Sequence, residues 1–318
     1  MPEYNYVGVD IAKDKFDVSL AIGGRRKNST FNNTPEGHQK MMDALKKSQT
    51  DAWVCMEATG IYGEALADAL SVHKIKVSVV NPTQIKYFTK ALLQRNKNDE
   101  VDAEAIARYV EQAQPKVYTP KTKAQKNMRE LVQILDCLTC QLTQWKNKHH
   151  ASRTAMARKE MEKEIARLEK RLRQIAKRIQ NLVAKDPLLK NNFDLLTSIK
   201  GVGEKLAFAW LAHIPDVTCF ATAKQLAAYI GVSPQQCQSG LFRGQTKISK
   251  IGNSHMRKAL YMPALSAKRT NEHLKPFIHR LEATGHTNKQ IVCAIMRKLV
   301  HVIFGILKSG KPFNPDLC

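Results

Sequence analysis

The chain has 318 residues, 43% of them apolar, and carries 51 Lys/Arg against 28 Asp/Glu, a formal net charge of +23. That length suits one large domain or two to three ordinary ones. A mean hydropathy of −0.38 without a long apolar run argues against a membrane span. Seven scattered cysteines, and a start (Met1-Pro2-Glu3-Tyr4-Asn5) with no basic stretch leading into an apolar one, predict a reducing cytoplasm rather than export.

The charge is unevenly spread. Residues 1–110 hold 15 Lys/Arg and 14 Asp/Glu, whereas residues 111–318 hold 36 and 14. The basic part has the electrostatic footprint of a nucleic-acid binder. A basic membrane-surface protein is the competing class. It would need aromatic residues along an amphipathic basic helix, and aromatics make up only 7% here.

Taken in order, Tyr4 to Ile11 reads as a buried strand with Asp10 at its end. Lys15 to Ile22 alternates as a second strand, Gly23-Gly24 turns the chain, and Lys27 to Asn32 makes a third. Thr34-Pro35 opens a helix through about Lys47, with Thr34 as its cap. Asp51 to Glu57 is a strand that again ends in an acid, followed by a helix from Ile61 to Val72. The strand Ile75 to Val80 stops at Asn81-Pro82, a short helix follows, and Lys86 to Lys97 is basic. This order is that of a ribonuclease-H-like domain, a mixed sheet flanked by helices, in which ligands gather at the carboxyl ends of strands.

The next helix carries Asp99 and Asp102, with Asn98 as a candidate cap. At a spacing of three the two carboxylates share a face and repel unless a cation lies between them. Together with Asp10 and Glu57 they make a four-acid set suited to one or two Mg²⁺ ions and phosphodiester chemistry. An acidic first turn that complements the helix dipole is the plainer explanation of the helical pair alone.

Pro115 and Pro120 mark a linker. Leu131, Leu135, Leu138, Leu142 and Trp145 then follow one another in alternating steps of four and three, as do Met161, Ile165, Leu168, Leu172, Ile175, Ile179 and Leu182. This predicts a coiled coil with a break between Lys146 and Glu160, serving as an internal hairpin, a dimer seam or a basic arm. Cys137 and Cys140 form a lone CxxC within it, read as a seam position rather than a zinc site. Asp186-Pro187 ends the second run.

Ser198 to Gly203 followed by Lys205 to Leu211 reads as a helix-hairpin-helix, whose glycine turn offers backbone N–H groups to a phosphate. Lys200, Gly201, Gly203 and Lys205 are candidate contacts there. Ala223 to Ile230 is helical and ends at Gly231. A long polar loop from Gln236 to Lys250 follows, where Arg243, Lys247 and Lys250 could meet phosphate, as could Lys97 and Arg257 elsewhere. Helices from about Ser254 to Lys268 and from Asn288 to Leu307 close the chain. Ser233, Ser239, Ser249 and Ser254 are all possible nucleophiles on phosphorus, and local sequence does not choose among them.

Several motifs together resemble the DEDD transposases of bacterial insertion sequences, relatives of the pilin-gene invertases. They are Gly8-Val9-Asp10-Ile11, Met56-Glu57-Ala58-Thr59-Gly60, Lys97-Asn98-Asp99-Glu100-Val101-Asp102-Ala103, Gly201-Val202-Gly203, Gln238-Ser239-Gly240 and Lys250-Ile251-Gly252-Asn253. The resemblance implies a RuvC-like domain over 1–115, a linker and coiled coil over 116–187, and a helical transposase domain over 188–318. It implies that Asp10, Glu57, Asp99 and Asp102 bind Mg²⁺ and that Ser239 attacks DNA to form a phosphoserine link. It further implies a bridge RNA that pairs with donor and target DNA. Tetramers built from dimers, with composite sites and no membrane partner, are also implied, in the bacterial cytoplasm at the nucleoid. Two rival functions fit the composition: a Holliday-junction-type endonuclease using water, and a non-enzymatic nucleic-acid scaffold.

Overall fold

Strand β1 (Asn5–Ile11) buries Val7, Val9 and Ile11 on one face and carries Tyr6, Gly8 and Asp10 on the other, at the centre of a covered sheet. The computed structural model describes residues 4–22, 25–47, 51–58, 60–93, 99–214, 216–235, 238–239, 242–244, 246–249 and 251–314. The chain divides into two compact units, Met1–Lys121 and Thr122–Cys318.

In the first unit, β2 (Lys15–Ile22) and β3 (Arg25–Asn32) extend β1 as an antiparallel meander. On its other side, β4 (Ala52–Glu57) and β5 (Lys76–Val80) are parallel to it, giving the order β3-β2-β1-β4-β5. One face is covered by α1 (Pro35–Lys47) and α2 (Glu64–Val72). There Val7, Val9 and Ile11 pack with Phe16, Met41 and Leu66. Helices α3 (Pro82–Ala91) and α4 (Asp99–Ala113) cover the other face, where Trp53, Cys55, Ile106 and Val110 form a second core. This is the expected mixed sheet between helices.

Gly8 sets how closely α4 lies on the sheet. A Cβ at Gly8 would stand 1.9 Å from the carbonyl oxygen of Ala103 and 2.4 Å from the backbone nitrogen of Ala107. Helix and strand therefore touch backbone to backbone, which only glycine permits. Helix α2 begins at Glu64, three residues later than the pattern suggested, because Gly60 takes a left-handed turn (φ +72°). The stretch around Pro115 and Pro120 is tied to the first unit. The Tyr118 backbone N–H donates to Val77, its hydroxyl donates to Asp68, and Lys121 pairs with Glu64 at 3.1 Å.

In the second unit, α5 (Lys123–Ala151) and α6 (Ala155–Lys185) fold back on each other across a three-residue break, joined near the tip by Lys146–Glu169 and His149–Glu162. Toward the opposite end Met128, Val132, Leu135, Ile175, Ile179 and Val183 are buried in one core shared with the later helices. Cys137 and Cys140 are exposed, so the seam reading is corrected: the stripe through Leu135, Leu138 and Leu142 turns both cysteines outward.

Helices α7 (Pro187–Thr197), α8 (Glu204–His213), α9 (Ala223–Ile230), α10 (Ser254–Thr270), α11 (Lys275–Ala283) and α12 (Asn288–Ser309) build the rest. The sequence pattern missed α11. Helix α12 corrects the expectation of no long apolar run, because it is long and apolar enough to cross a membrane by length and composition. Its apolar stripe, from Ile291 through Ile295 and Leu299 to Ile303, is instead buried in the second unit's core.

Two glycines give opposite expectations. Gly8→Ala should lower the unfolding free energy by about 3 kcal/mol, because backbone rather than a side chain must yield. Gly305→Ala should raise it by about 0.5–1 kcal/mol, since Gly305 is in α12 and its added methyl would meet nothing within 4 Å. Urea unfolding of the two variants checks both signs.

Candidate active site

The first unit brings acids together at the carboxyl end of its central strands. Gly8 faces α4, so Asp10, two residues on, lies on the same side of the sheet. Strand β4 is parallel to β1 with Val9 beside Met56, which makes Glu57 the neighbour of Asp10. Trp53 and Cys55 belong to the core under α4, so Glu57 lies on that face as well. Burial, and secondly the charge of Glu57, pushes the Cys55 thiol up to about 12, leaving it an inert apolar neighbour.

Helix α4 completes the arrangement. Ala103, Ile106, Ala107 and Val110 are its buried stripe. Positions 99 and 102 prolong that stripe by one turn toward the N-terminus. Asp102 is half-buried there. Asp99 opens the helix, and its side chain lies outside the described residues. Among the described residues, no group of three or more His, Cys, Asp or Glu is gathered closely enough to hold a metal.

One acid was missed. Asp17 stands directly across from Asp10 in the antiparallel register, and it is buried. Its carboxylate accepts a hydrogen bond from the Thr30 hydroxyl at 2.5 Å and pairs with Lys15 at 3.4 Å. The alternation of Lys15 to Ile22 already put Asp17 and Ser19 on one face. What it lacked was the hairpin register, which returns the start of β2 to the end of β1. Asp17 thus adds a carboxylate beside Asp10 that is already compensated by Lys15 and Thr30. The donors at this end of the sheet are all carboxylate oxygens, the chemistry a hard divalent ion takes.

In the second unit the polar loop carries four two-residue strands. β6 (Pro234–Gln235) pairs with β9 (Lys247–Ile248), and β7 (Gln238–Ser239) with β8 (Phe242–Arg243). Ser239 thus has a defined backbone place opposite Phe242. The side chains of Ser239 and Arg243 lie outside the described residues, as do Lys97 and Lys250 altogether. Ser233 and Ser249 are joined through their backbones at 3.1 Å, and Ser254 begins α10.

The glycine turn before α8 is packed rather than open on one side. Gly201 (φ +100°) lies against Ala267, where an added Cβ would come within 3.2 Å. Gly203 caps α8 without a side-chain bond, and Lys200 and Lys205 are exposed beside it. Lys247 is exposed on β9. Arg257 has a structural partner: its guanidinium donates to the Ile230 carbonyl at 2.9 Å and closes the end of α9. Asn253 caps α10 and donates its backbone N–H to Tyr229, so the stretch after Lys250 locks two helix ends together.

Comparison with known proteins adds lineage to this geometry. A transposase family model for the DEDD domain of IS110 matches residues 7–155, and a model described as transposase IS116/IS110/IS902 family matches residues 193–279. The chain is 31% identical to the pilin gene-inverting protein of Moraxella bovis, over 97% of each chain. It is 22% identical to the transposase for insertion sequence element IS1328 of Yersinia enterocolitica, covering 99% of this chain and 100% of that one. It is 27% identical to the transposase for insertion sequence element IS1111A of Coxiella burnetii, over 82% of this chain and 77% of the relative. With two family models and a full-length relative in agreement, the chain belongs to the IS110/IS116 family of transposases, DNA recombinases that include the pilin gene-inverting proteins.

Proposed function

We propose that this transposase recombines DNA through a phosphoserine intermediate, with Asp10, Glu57, Asp99 and Asp102 as a Mg²⁺-binding set and Ser239 as nucleophile. The observation that supports it best is the convergence on one sheet end. Asp10 and Glu57 lie on adjacent strands, and α4 is held by Gly8 so that positions 99 and 102 extend its sheet-facing stripe. Bound there, Mg²⁺ (one or two ions) would offset charge on the scissile phosphate and favour the ionised attacking hydroxyl.

The chain's own residues would do the rest. The Ser239 Oγ bonds to phosphorus, the bond from phosphorus to a sugar oxygen breaks, and the proton lost by serine ends on the departing oxygen. A sugar hydroxyl of another strand then reverses the step and frees the serine, so no bond is hydrolysed. Lys200, Lys205 and Lys247, exposed on the basic unit, suit contacts with phosphate. A bridge RNA pairing with donor and target DNA, dimers assembling to tetramers, and work in the cytoplasm complete the proposal on family grounds.

Two variants test it. Ser239→Ala is expected to abolish covalent protein–DNA adducts on denaturing gels while nucleic-acid binding persists; adducts that survive would refute the serine assignment. Asp10→Asn is expected to cut strand cleavage more than about 100-fold, since even outer-shell partners of metal ligands cost about 10–100-fold. Cleavage at the wild-type rate in that variant, titrated with Mg²⁺, would remove the acids from the chemistry.

A further inference from the structure

We propose that the second unit holds a binding cavity for one unpaired nucleotide, formed where the stretch after α10 and helices α11 and α12 meet the chain's end. The cavity has a volume of about 540 Å³, within the range of about 300–1,000 Å³ usual for small-ligand sites. Leu274, Phe277 and Phe313 give it apolar and aromatic wall, and Arg280 and Lys298 are the cations at its edge. No acidic side chain lines it among the described residues.

The walls are fixed. Asn271, only 5% exposed, accepts the His273 backbone N–H at 3.1 Å and shapes the short 3-10 turn Glu272–Leu274. The Phe313 backbone N–H donates to the Ser198 hydroxyl at 3.0 Å, which ties the lining residue Phe313 to the end of α7. The Arg280 guanidinium lies 5.5 Å from the centre of the Phe277 ring. The guanidinium over the ring offers a planar cationic face, and Leu274 and Phe313 supply the apolar wall beside it.

That pairing selects the ligand. A base prefers an aromatic platform, and stacking on one is sequence-tolerant. A phosphate prefers a cationic edge without acids. A lipid or an apolar peptide would use the wall and waste the cations, whereas inorganic phosphate would use the cations and waste the wall. The unit Thr122–Cys318 carries 34 Lys/Arg against 13 Asp/Glu, which favours a polyanionic strand as the source. The inference rests on the nucleic-acid part of the proposed function. A recombinase opens duplexes, and opened duplexes expose unstacked nucleotides. The strand could be DNA or RNA, because base and phosphate are common to both.

Full-length protein in EDTA, where no strand is cut, is titrated by fluorescence anisotropy with single-stranded DNA, single-stranded RNA and duplex DNA. With Arg280→Gln and Lys298→Gln combined, single-strand affinity should fall about 10-fold, and the log–log salt slope should become shallower by about 1.4. Phe277→Leu should weaken single-strand binding about 5-fold or more. Duplex affinity should hold in both. Strands bearing 5-iodouracil should photocrosslink to the peptide Asn271–Arg280 or to Phe313, and the strand type that does so identifies the source. Wild-type single-strand affinity in the double variant, or crosslinks confined to other peptides, would overturn the proposal. If Phe277→Leu loses its circular dichroism signal, the exposed double variant and the crosslinks decide. The adduct assay on Ser239→Ala is independent of these readouts, so failure of the cavity and failure of the phosphoserine reading are told apart.

Discussion

The contact between Gly8 and the backbone of α4 organises the first unit. A strand and a helix ordinarily stay apart by the thickness of two side chains. Here one side chain is missing from the strand, and only alanines face it from the helix, at Ala103 and Ala107. The close approach has a chemical consequence. Asp10 is two residues from Gly8 along the strand, and Asp102 is next to Ala103 along the helix. An acid on each element is thereby tied to the point where the backbones meet, so the separation of the two elements, rather than any flexible side chain, governs the site.

Electrostatics and packing pull in opposite directions at this end of the sheet. Asp10 lies between Glu57 on one neighbouring strand and Asp17 on the other. Three carboxylates in a row disfavour the folded state unless they are screened, and at Asp17 the Thr30 hydroxyl and the Lys15 ammonium do so. The apolar core on the opposite face, from Val7 and Val9 to Leu66 and Leu70, is continuous and fully buried. It supplies the burial that tolerates such repulsion. A strained functional cluster backed by an ordinary core is how folds commonly hold charge in place.

Much of this was legible in the sequence because the signals were local. Asp10 and Glu57 end apolar runs, the helical pair has a spacing of three, and Thr34-Pro35 and Asp186-Pro187 begin helices where the capping chemistry says they should. The failures were not local. Asp17 needed a hairpin register, which period-two alternation does not reveal. The Ile230 carbonyl that accepts from Arg257 is 27 residues away, a pairing local sequence does not show. Cys137 and Cys140 needed the phase of a helix whose stripe is only partly buried. Helix α11 is only nine residues long and begins Lys275-Pro276, so it carries little apolar period.

The two halves of the proposed chemistry rest on unequal foundations. The acids stand on long strands and a fifteen-residue helix, each fixed by many bonds. Ser239 stands on a pair of two-residue strands, and so short a ladder does not hold itself together without packing. Its base is anchored: Ile248 of β9 packs against the second unit's core, and the Ser249 N–H donates to Ser233. The β7–β8 pair lies further along the loop. In the proposed chemistry the covalent link needs both parts, because the acids on the sheet and α4 cannot form it without the serine of the second unit.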